Sequence, residues 1–137
     1  MQELVVMVVS MLSSWNMEYY PASLEREDVE VIYHENSTVL TINKSLIPAS
    51  IECTKSMRPL LGCGNTAYLE ELDDGDGVFV GDIVAYKRRG ELVLHQITGQ
   101  DNGCYSLKGF NNIFADEGCV QREDIDYRAV VVLPTGG

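Results

Sequence analysis

The sequence has few basic residues and no long apolar run. Its 10 lysines and arginines stand against 21 aspartates and glutamates, which gives a formal net charge of −11. Such a charge repels phosphate backbones and anionic lipid surfaces, so we do not expect nucleic acid as a partner. The longest apolar run, from Leu4 to Leu12 with Ser10 inside it, falls short of the roughly 20 residues that a membrane-spanning helix needs. The printed chain is therefore not expected to span a bilayer.

The start of the chain also lacks the basic residues and the small-residue cleavage site of a secretory leader. Two interpretations of residues 1–14 stay open. They form an element that packs into the domain, or they are the remnant of a membrane anchor. The length of 137 residues, 45% of them hydrophobic, suits one folded domain. We therefore predict a single domain over residues 1–137.

The chain has four cysteines, without the Cys-x2-Cys spacing that is typical of a zinc site. They form two local pairs, Cys53 with Cys63 and Cys104 with Cys119. Four cysteines allow three pairings, among which the sequence cannot choose. Two disulfides would indicate an oxidising compartment, and four reduced, buried thiols are the alternative. The acidic stretch 73–77 lacks the glycine spacing and the final glutamate of a calcium loop, so we expect an acidic turn and no metal ion.

Alternating apolar and polar residues predict a mostly β fold. The alternation begins at residues 29–33, and a turn at 35–37 precedes a returning strand at 39–43. Asn102-Gly103, within the turn predicted at residues 100–103, favours a tight primed hairpin turn. Another hairpin tip is predicted at residues 87–90. Further strands are predicted at residues 78–80, 83–86, 92–94, 104–108 and 129–133.

Helical signals are few. They predict a short helix that starts at Ser23 and a single turn at residues 122–125. The predicted fold class is therefore mostly β, with a bent or barrel-like sheet of short strands and short helical turns.

Three separate segments carry a serine, a histidine and an aspartate. Ser56 lies where an extended stretch gives way to an irregular segment, His95 has apolar neighbours at strand spacing, and Asp116 lies in a loop. Serine is a poor nucleophile unless a base takes its proton, and that base needs an orienting group. Each residue also has a structural interpretation, as a turn residue, a core histidine and a loop acid. The three together suggest a serine peptidase.

With their flanking residues, these segments resemble signal peptidase I, in the archaeal and endoplasmic-reticulum subtype that pairs serine with histidine. That family has a Ser-Met-x-Pro box, a Gly-Asp-Ile-Val strand, a Val-His-Arg-Val strand and a Lys-Gly-Asp-Asn-Asn box followed by an aspartate. The corresponding residues here are 56–59, 81–84, 94–97 and 108–112, with Asp116 beyond. The resemblance covers residues 51–130 and implies a signal-peptidase-like sheet.

The resemblance implies a serine endopeptidase that removes signal peptides from exported precursor proteins after small residues, without metal or cofactor. Ser56 would be the nucleophile, His95 the base and Asp116 the residue that orients His95. His95 is preferred as base over Lys87, which belongs to the predicted hairpin tip. The enzyme would act at the extracytoplasmic face of a membrane or be secreted, and a membrane association would depend on a segment missing from this chain. By their spacing, each of the two cysteine pairs brackets one of the catalytic segments, and a disulfide would close a short loop around it.

The resemblance also implies a substrate site. The oxyanion donors would be the Ser56 backbone N–H and the Thr54 hydroxyl. A precursor would bind as an added β-strand in a cleft between residues 51–53 and 82–86. We therefore also predict that Met57, Pro59 and Asp82 belong to the substrate-binding region.

Three residues depart from the family pattern. Phe110 stands at the first aspartate of its box, so Asp116 is the only acid of that box that can orient His95. Lys55 replaces the usual glycine before the serine, and Arg58 replaces a frequent acid. Two alternatives therefore stay open, a soluble self-processing or regulatory peptidase of the same fold and a non-catalytic β domain that binds extended peptides in a degenerate cleft.

Overall fold

The computed structural model describes residues 26–52 and 54–133. The chain divides into two compact units, Met1–Ser45 and Leu46–Gly137, and each is described by itself. The single domain over residues 1–137 stays a prediction. The segment 1–14, interpreted above as a packed element or an anchor remnant, lies outside the described residues.

The first unit contains a β-hairpin. A short 3₁₀ turn at Arg26–Asp28 leads into β1 (Val29–Tyr33), which pairs in antiparallel fashion with β2 (Thr38–Ile42). The backbone N–H of His34 donates to the Ser37 carbonyl at 2.8 Å and closes the connection. The predicted hairpin is confirmed, whereas the helix start predicted at Ser23 lies outside the described residues.

The second unit is a seven-stranded antiparallel sheet in the order β3-β4-β9-β5-β6-β7-β8. The prediction of a mostly β fold is confirmed. The sheet is open, with β3 and β8 at its two edges, and is not closed into a barrel. Its strands are β3 (Ile47–Ser50), β4 (Thr66–Glu71), β5 (Ile83–Arg88), β6 (Glu91–Asp101), β7 (Cys104–Lys108), β8 (Val120–Gln121) and β9 (Ile125–Leu133).

Two hairpin turns predicted from turn residues are confirmed. Arg89 and Gly90 connect β5 to β6, and Asn102 and Gly103 connect β6 to β7. Asn102 and Gly103 both have positive φ, 47° and 76°, as a primed turn between twisted strands requires. The predicted single turn near Arg122 is also confirmed, as a 3₁₀ turn at Arg122–Asp124.

Other strand predictions were wrong or incomplete. Residues 78–80 are not a strand, because the Phe79 backbone serves the turn before β5. Its N–H donates to the Asp82 carboxylate and its carbonyl accepts from the Asp82 N–H. β4 was not predicted. Its Glu70 lies opposite Arg128 of β9 and pairs with it. β9 begins at Ile125, four residues before the predicted start.

The sheet buries side chains on both of its faces. Val84 and Tyr86 of β5 pack with Ile97 and Leu107 in one core cluster, whereas Ala85 packs with residues of β4 in a second. This separation follows from the alternation of side chains along a strand. Among the described residues, no helix is long and apolar enough to cross a membrane.

Candidate active site

Ser56 lies in the connection between β3 and β4, in a tight turn. The Arg58 N–H donates to the Lys55 carbonyl at 3.2 Å, and the Leu61 N–H donates to the Met57 carbonyl at 3.0 Å. Lys55, which precedes the serine, has a φ of 65° in the left-handed region that favours glycine. This is the position where the signal peptidase pattern has glycine. A strained residue beside the hydroxyl is common at functional sites.

His95 lies near the middle of β6 and is 6% exposed. It is the direct partner of Val84 in β5, so its side chain shares a sheet face with Val84 and, two residues further along β5, with Tyr86. The sequence predicted an imidazole that points inward or into a cleft, and its burial confirms this.

Asp116 lies in the connection that leaves β7. Its backbone N–H donates to the Leu107 carbonyl at 2.8 Å, which fixes the loop against the end of β7. A disulfide between Cys104 and Cys119, whose Cα atoms are 5.4 Å apart, closes the same segment. The predicted pairing of Cys104 with Cys119 is confirmed, whereas Cys53 lies outside the described residues, as therefore does its pairing with Cys63.

The structure brings the three predicted side chains into one line of hydrogen bonds. His95 Nε2 lies 3.3 Å from Ser56 Oγ, and His95 Nδ1 lies 2.6 Å from Asp116 Oδ2. Because an ionised carboxylate only accepts hydrogen bonds, the histidine tautomer with its proton on Nδ1 donates to Asp116. Nε2 is then left to accept the proton of the serine hydroxyl.

Two further side chains contact Asp116, and sequence reasoning missed both. The Tyr86 hydroxyl donates to Asp116 Oδ2 at 2.5 Å, and Arg88 NH1 lies 3.6 Å from Oδ1. Strand alternation places Tyr86 and Arg88 on one face of β5, and this signal was available in the sequence. What the sequence did not reveal is that the Asp116 loop crosses that face.

The residues predicted to surround the nucleophile have different environments. Thr54 Oγ1 lies 3.2 Å from Ser56 Oγ, so the two hydroxyls are within hydrogen-bond distance of each other. Among the described residues, no group accepts a hydrogen bond from the Ser56 N–H. Met57 is 4% exposed and its sulfur accepts from the Phe110 N–H, so it is a buried residue in contact with the segment after β7. Pro59 is exposed.

Asp82 belongs to a different polar group. Its carboxylate accepts from the Phe79 N–H at 3.0 Å and lies 3.3 Å from Arg128 NH1, and Arg128 also pairs with Glu70. Burial raises the pKa of Asp82 above its ordinary value and outweighs the opposite effects of the Phe79 N–H and Arg128. No hydrogen bond joins Asp82 to Ser56 or His95 within the part of the chain that the structure describes. Asp82 therefore belongs to a group of structural contacts, separate from the hydrogen bonds of Ser56, His95 and Asp116.

The predicted cleft also differs in detail from the structure. β3 ends at Ser50, so residues 51 and 52 lie beyond it, and β4 and β9 separate β3 from β5 in the sheet. From Val84 to Tyr86, β5 is paired with β6 on one side and β9 on the other. An added substrate strand has no free backbone edge there. Substrate binding as an extended strand stays a prediction, without a β5 edge to support it.

Phe110, the departure from the family box, does not occupy the position of a triad acid. Its side chain is 44% exposed, while its backbone N–H contacts the Met57 sulfur at 3.3 Å. The acid beside His95 is Asp116.

Within the described residues, no group of three or more histidine, cysteine or acidic side chains could hold a metal ion. No family model, no curated protein and no solved structure matches this chain.

Proposed function

We propose that this chain is a serine endopeptidase similar to signal peptidase I. The observation that supports the proposal is the line of hydrogen bonds from Ser56 through His95 to Asp116. These side chains come from three segments that are far apart in the sequence. A nucleophile, a base and an orienting acid within hydrogen-bond reach form the arrangement that activates serine for acyl transfer.

In the proposed mechanism, Ser56 Oγ attacks the scissile carbonyl carbon while its proton passes to His95 Nε2. The resulting imidazolium is stabilised by Asp116, which keeps its own negative charge. The Ser56 N–H and the Thr54 hydroxyl donate to the oxyanion of the tetrahedral intermediate. As the intermediate collapses, the C–N bond breaks and Nε2 returns the proton to the leaving amine. Water then attacks the acyl-enzyme with the same proton transfers and releases Ser56.

The proposed substrates are signal-peptide-bearing precursor proteins, bound in extended form and cut after small residues. This substrate class follows from the resemblance of residues 51–130 to signal peptidase I. The proposed location is the extracytoplasmic face of a membrane or outside the cell. The disulfide between Cys104 and Cys119 agrees with an oxidising compartment of that kind.

Cleavage of a peptide with an Ala-x-Ala site tests this function. We expect the wild-type protein to cut after the second alanine and Ser56→Ala to lose at least about 1,000-fold in kcat/KM. Ser106→Ala is a matched control, because Ser106 is an exposed serine on β7 and should leave the rate unchanged. Equal rates for wild type and Ser56→Ala would contradict the proposal.

Mass spectrometry of the incubated protein distinguishes the proposed function from the alternative of a self-processing peptidase of the same fold. Specific cleavage of the chain itself, without cleavage of the peptide, would indicate a self-processing peptidase. Binding of the peptide without cleavage by wild type would indicate a non-catalytic peptide-binding domain.

A further inference from the structure

We propose that Tyr86 is a positioning residue whose hydroxyl holds the Asp116 carboxylate in the orientation that His95 requires. The catalytic consequence of this proposal rests on the peptidase function proposed above. Asp116 Oδ2 accepts from two groups at once, the Tyr86 hydroxyl at 2.5 Å and His95 Nδ1 at 2.6 Å. The oxygen that accepts from His95 is thus also held by the Tyr86 hydroxyl, which takes no part in the proton transfer between Ser56 and His95.

Tyr86 is a rigid anchor for this contact. Its side chain belongs to the core and is 2% exposed, packed with Val84, Ile97 and Leu107. β5 pairs with β6 from Ile83 to Arg88 without a register shift. The shift in its pairing with β9 lies on the β9 side, where Asp126 is the extra residue, so Tyr86 lies in a regular strand between two neighbours. The tyrosine is therefore held by the sheet.

Asp116, by contrast, lies in a loop with little packing before it. Ile113 and Phe114, three and two residues earlier, are 86% and 81% exposed. The loop backbone alone leaves the carboxylate free to turn about its Cβ–Cγ bond. The contacts of its two oxygens must therefore decide the orientation of the carboxylate. Among these contacts, the Tyr86 hydroxyl is the buried donor that does not belong to the triad.

The charged neighbour of Asp116 makes this contact more important. Arg88 NH1 lies 3.6 Å from Oδ1, so the guanidinium attracts the oxygen that does not contact His95. Without the tyrosine hydroxyl, Oδ2 would retain one donor, while Oδ1 would keep the guanidinium. We then expect the carboxylate to turn towards Arg88 and the Oδ2–Nδ1 contact to lengthen.

Tyr86 keeps its proton under ordinary conditions. Burial raises the pKa of its hydroxyl above the ordinary value of 10.0, and the hydrogen bond to Asp116 raises it further. The hydroxyl is therefore a donor to Asp116 throughout the pH range in which a peptidase of this kind would be assayed.

The experiment compares Tyr86→Phe with Tyr105→Phe as a matched control. Tyr105 is 7% exposed in the same core cluster, and its hydroxyl accepts from Gln100 rather than contacting Asp116. Each variant loses one hydroxyl and keeps its ring. The readouts are the ¹⁵N NMR shifts of the His95 ring nitrogens, kcat and KM on the Ala-x-Ala peptide, and the melting temperature. His34→Ala removes the other histidine and assigns the spectrum.

In wild type and Tyr105→Phe we expect the His95 tautomer with its proton on Nδ1 to dominate. In Tyr86→Phe we expect a mixture of the two tautomers and a kcat about ten- to a hundredfold lower, with KM changed less than about twofold. If Tyr86→Phe has the wild-type tautomer populations, the positioning role is excluded. A kcat loss of equal size in Tyr105→Phe would also exclude it, because the loss would then reflect core packing.

The two proposals fail separately. If wild type cleaves no peptide, the peptidase function fails, while the NMR comparison still decides whether Tyr86 positions Asp116. If wild type cleaves the peptide and Tyr86→Phe matches it in kcat and in NMR, only the positioning role fails.

Discussion

The backbone N–H of Asn111 donates to the carbonyl oxygen of Ser56 at 2.7 Å. The Asn111 side-chain amide also donates to the Lys55 carbonyl, at 3.3 Å. The loop that carries Asp116 is thereby attached to the turn that carries the nucleophile. Nucleophile and orienting acid consequently depend on the same short segment after β7.

Gly109→Ala tests this attachment. A Cβ at Gly109 would lie 2.5 Å from Asn112 Nδ2 and 2.9 Å from the Ser56 carbonyl oxygen, closer than real contacts allow. We expect kcat/KM on the Ala-x-Ala peptide to fall about tenfold or more, because small displacements of reacting groups are costly. Gly62→Ala is the control, since a Cβ there meets no atom within 4 Å. Equal activity of both variants would show that the loop does not position Ser56.

Lys55→Gly tests the backbone strain before the nucleophile. The φ of 65° at Lys55 costs a residue with a Cβ about 1–2 kcal/mol, and glycine avoids this cost. After the entropy that glycine adds to the unfolded chain, we expect the free energy of unfolding to rise by about 1 kcal/mol in urea titrations. Lys55→Ala removes the same exposed side chain but keeps the Cβ, so it should not stabilise the protein. If alanine stabilises as much as glycine, the strain is not in the backbone.

The Cys104–Cys119 disulfide should contribute measurably to stability. It joins residues 15 apart in sequence, and closing a loop of that length stabilises the folded state by about 3 kcal/mol in the chain-entropy account. We expect Cys104→Ser/Cys119→Ser to lower the free energy of unfolding by up to about this amount, measured by urea denaturation without reductant. An unchanged denaturation midpoint would contradict the contribution.

The buried carboxylate of Asp82 should make stability depend on pH. Because burial raises its pKa above 3.8, the folded state binds this proton more tightly than the unfolded state does. Relative to Asp82→Asn, the free energy of unfolding of wild type should therefore rise as the pH falls from neutral towards 3.8. The measurement is urea denaturation of both proteins at several pH values across that range. The raised pKa would be contradicted if the difference in free energy of unfolding between wild type and Asp82→Asn stayed constant on acidification, or if wild type became less stable relative to the variant.

Local sequence patterns predicted the parts of the fold that depend on neighbouring residues. Asn102-Gly103 predicted a hairpin turn because few residue pairs accept a positive φ at both turn positions, and the structure has that turn. β4 could not be predicted in the same way. Its buried Glu70 is stabilised by Arg128, more than 50 residues later in the chain, so the strand depends on a partner that no local window contains.

The candidate site shows the same distinction. Ser56, His95 and Asp116 were selected as three chemically complementary residues whose flanking segments resemble one family, and the structure brings all three within hydrogen-bond reach. Tyr86 was missed because its role depends on the path of the Asp116 loop. Only the resemblance predicts Asp82 near the substrate, and in the structure Asp82 forms an ion pair with Arg128.

The most direct test of the central claim is whether Ser56 and His95 act as one catalytic unit. The measurement is kcat/KM on the Ala-x-Ala peptide for Ser56→Ala, His95→Ala and the double variant. When two residues serve the same step, removing the second costs almost nothing once the first is gone. We expect all three variants to share one residual rate, at least about 1,000-fold below wild type. Wild-type rates in either single variant, or losses that multiply in the double variant, would contradict a shared role of Ser56 and His95 in catalysis.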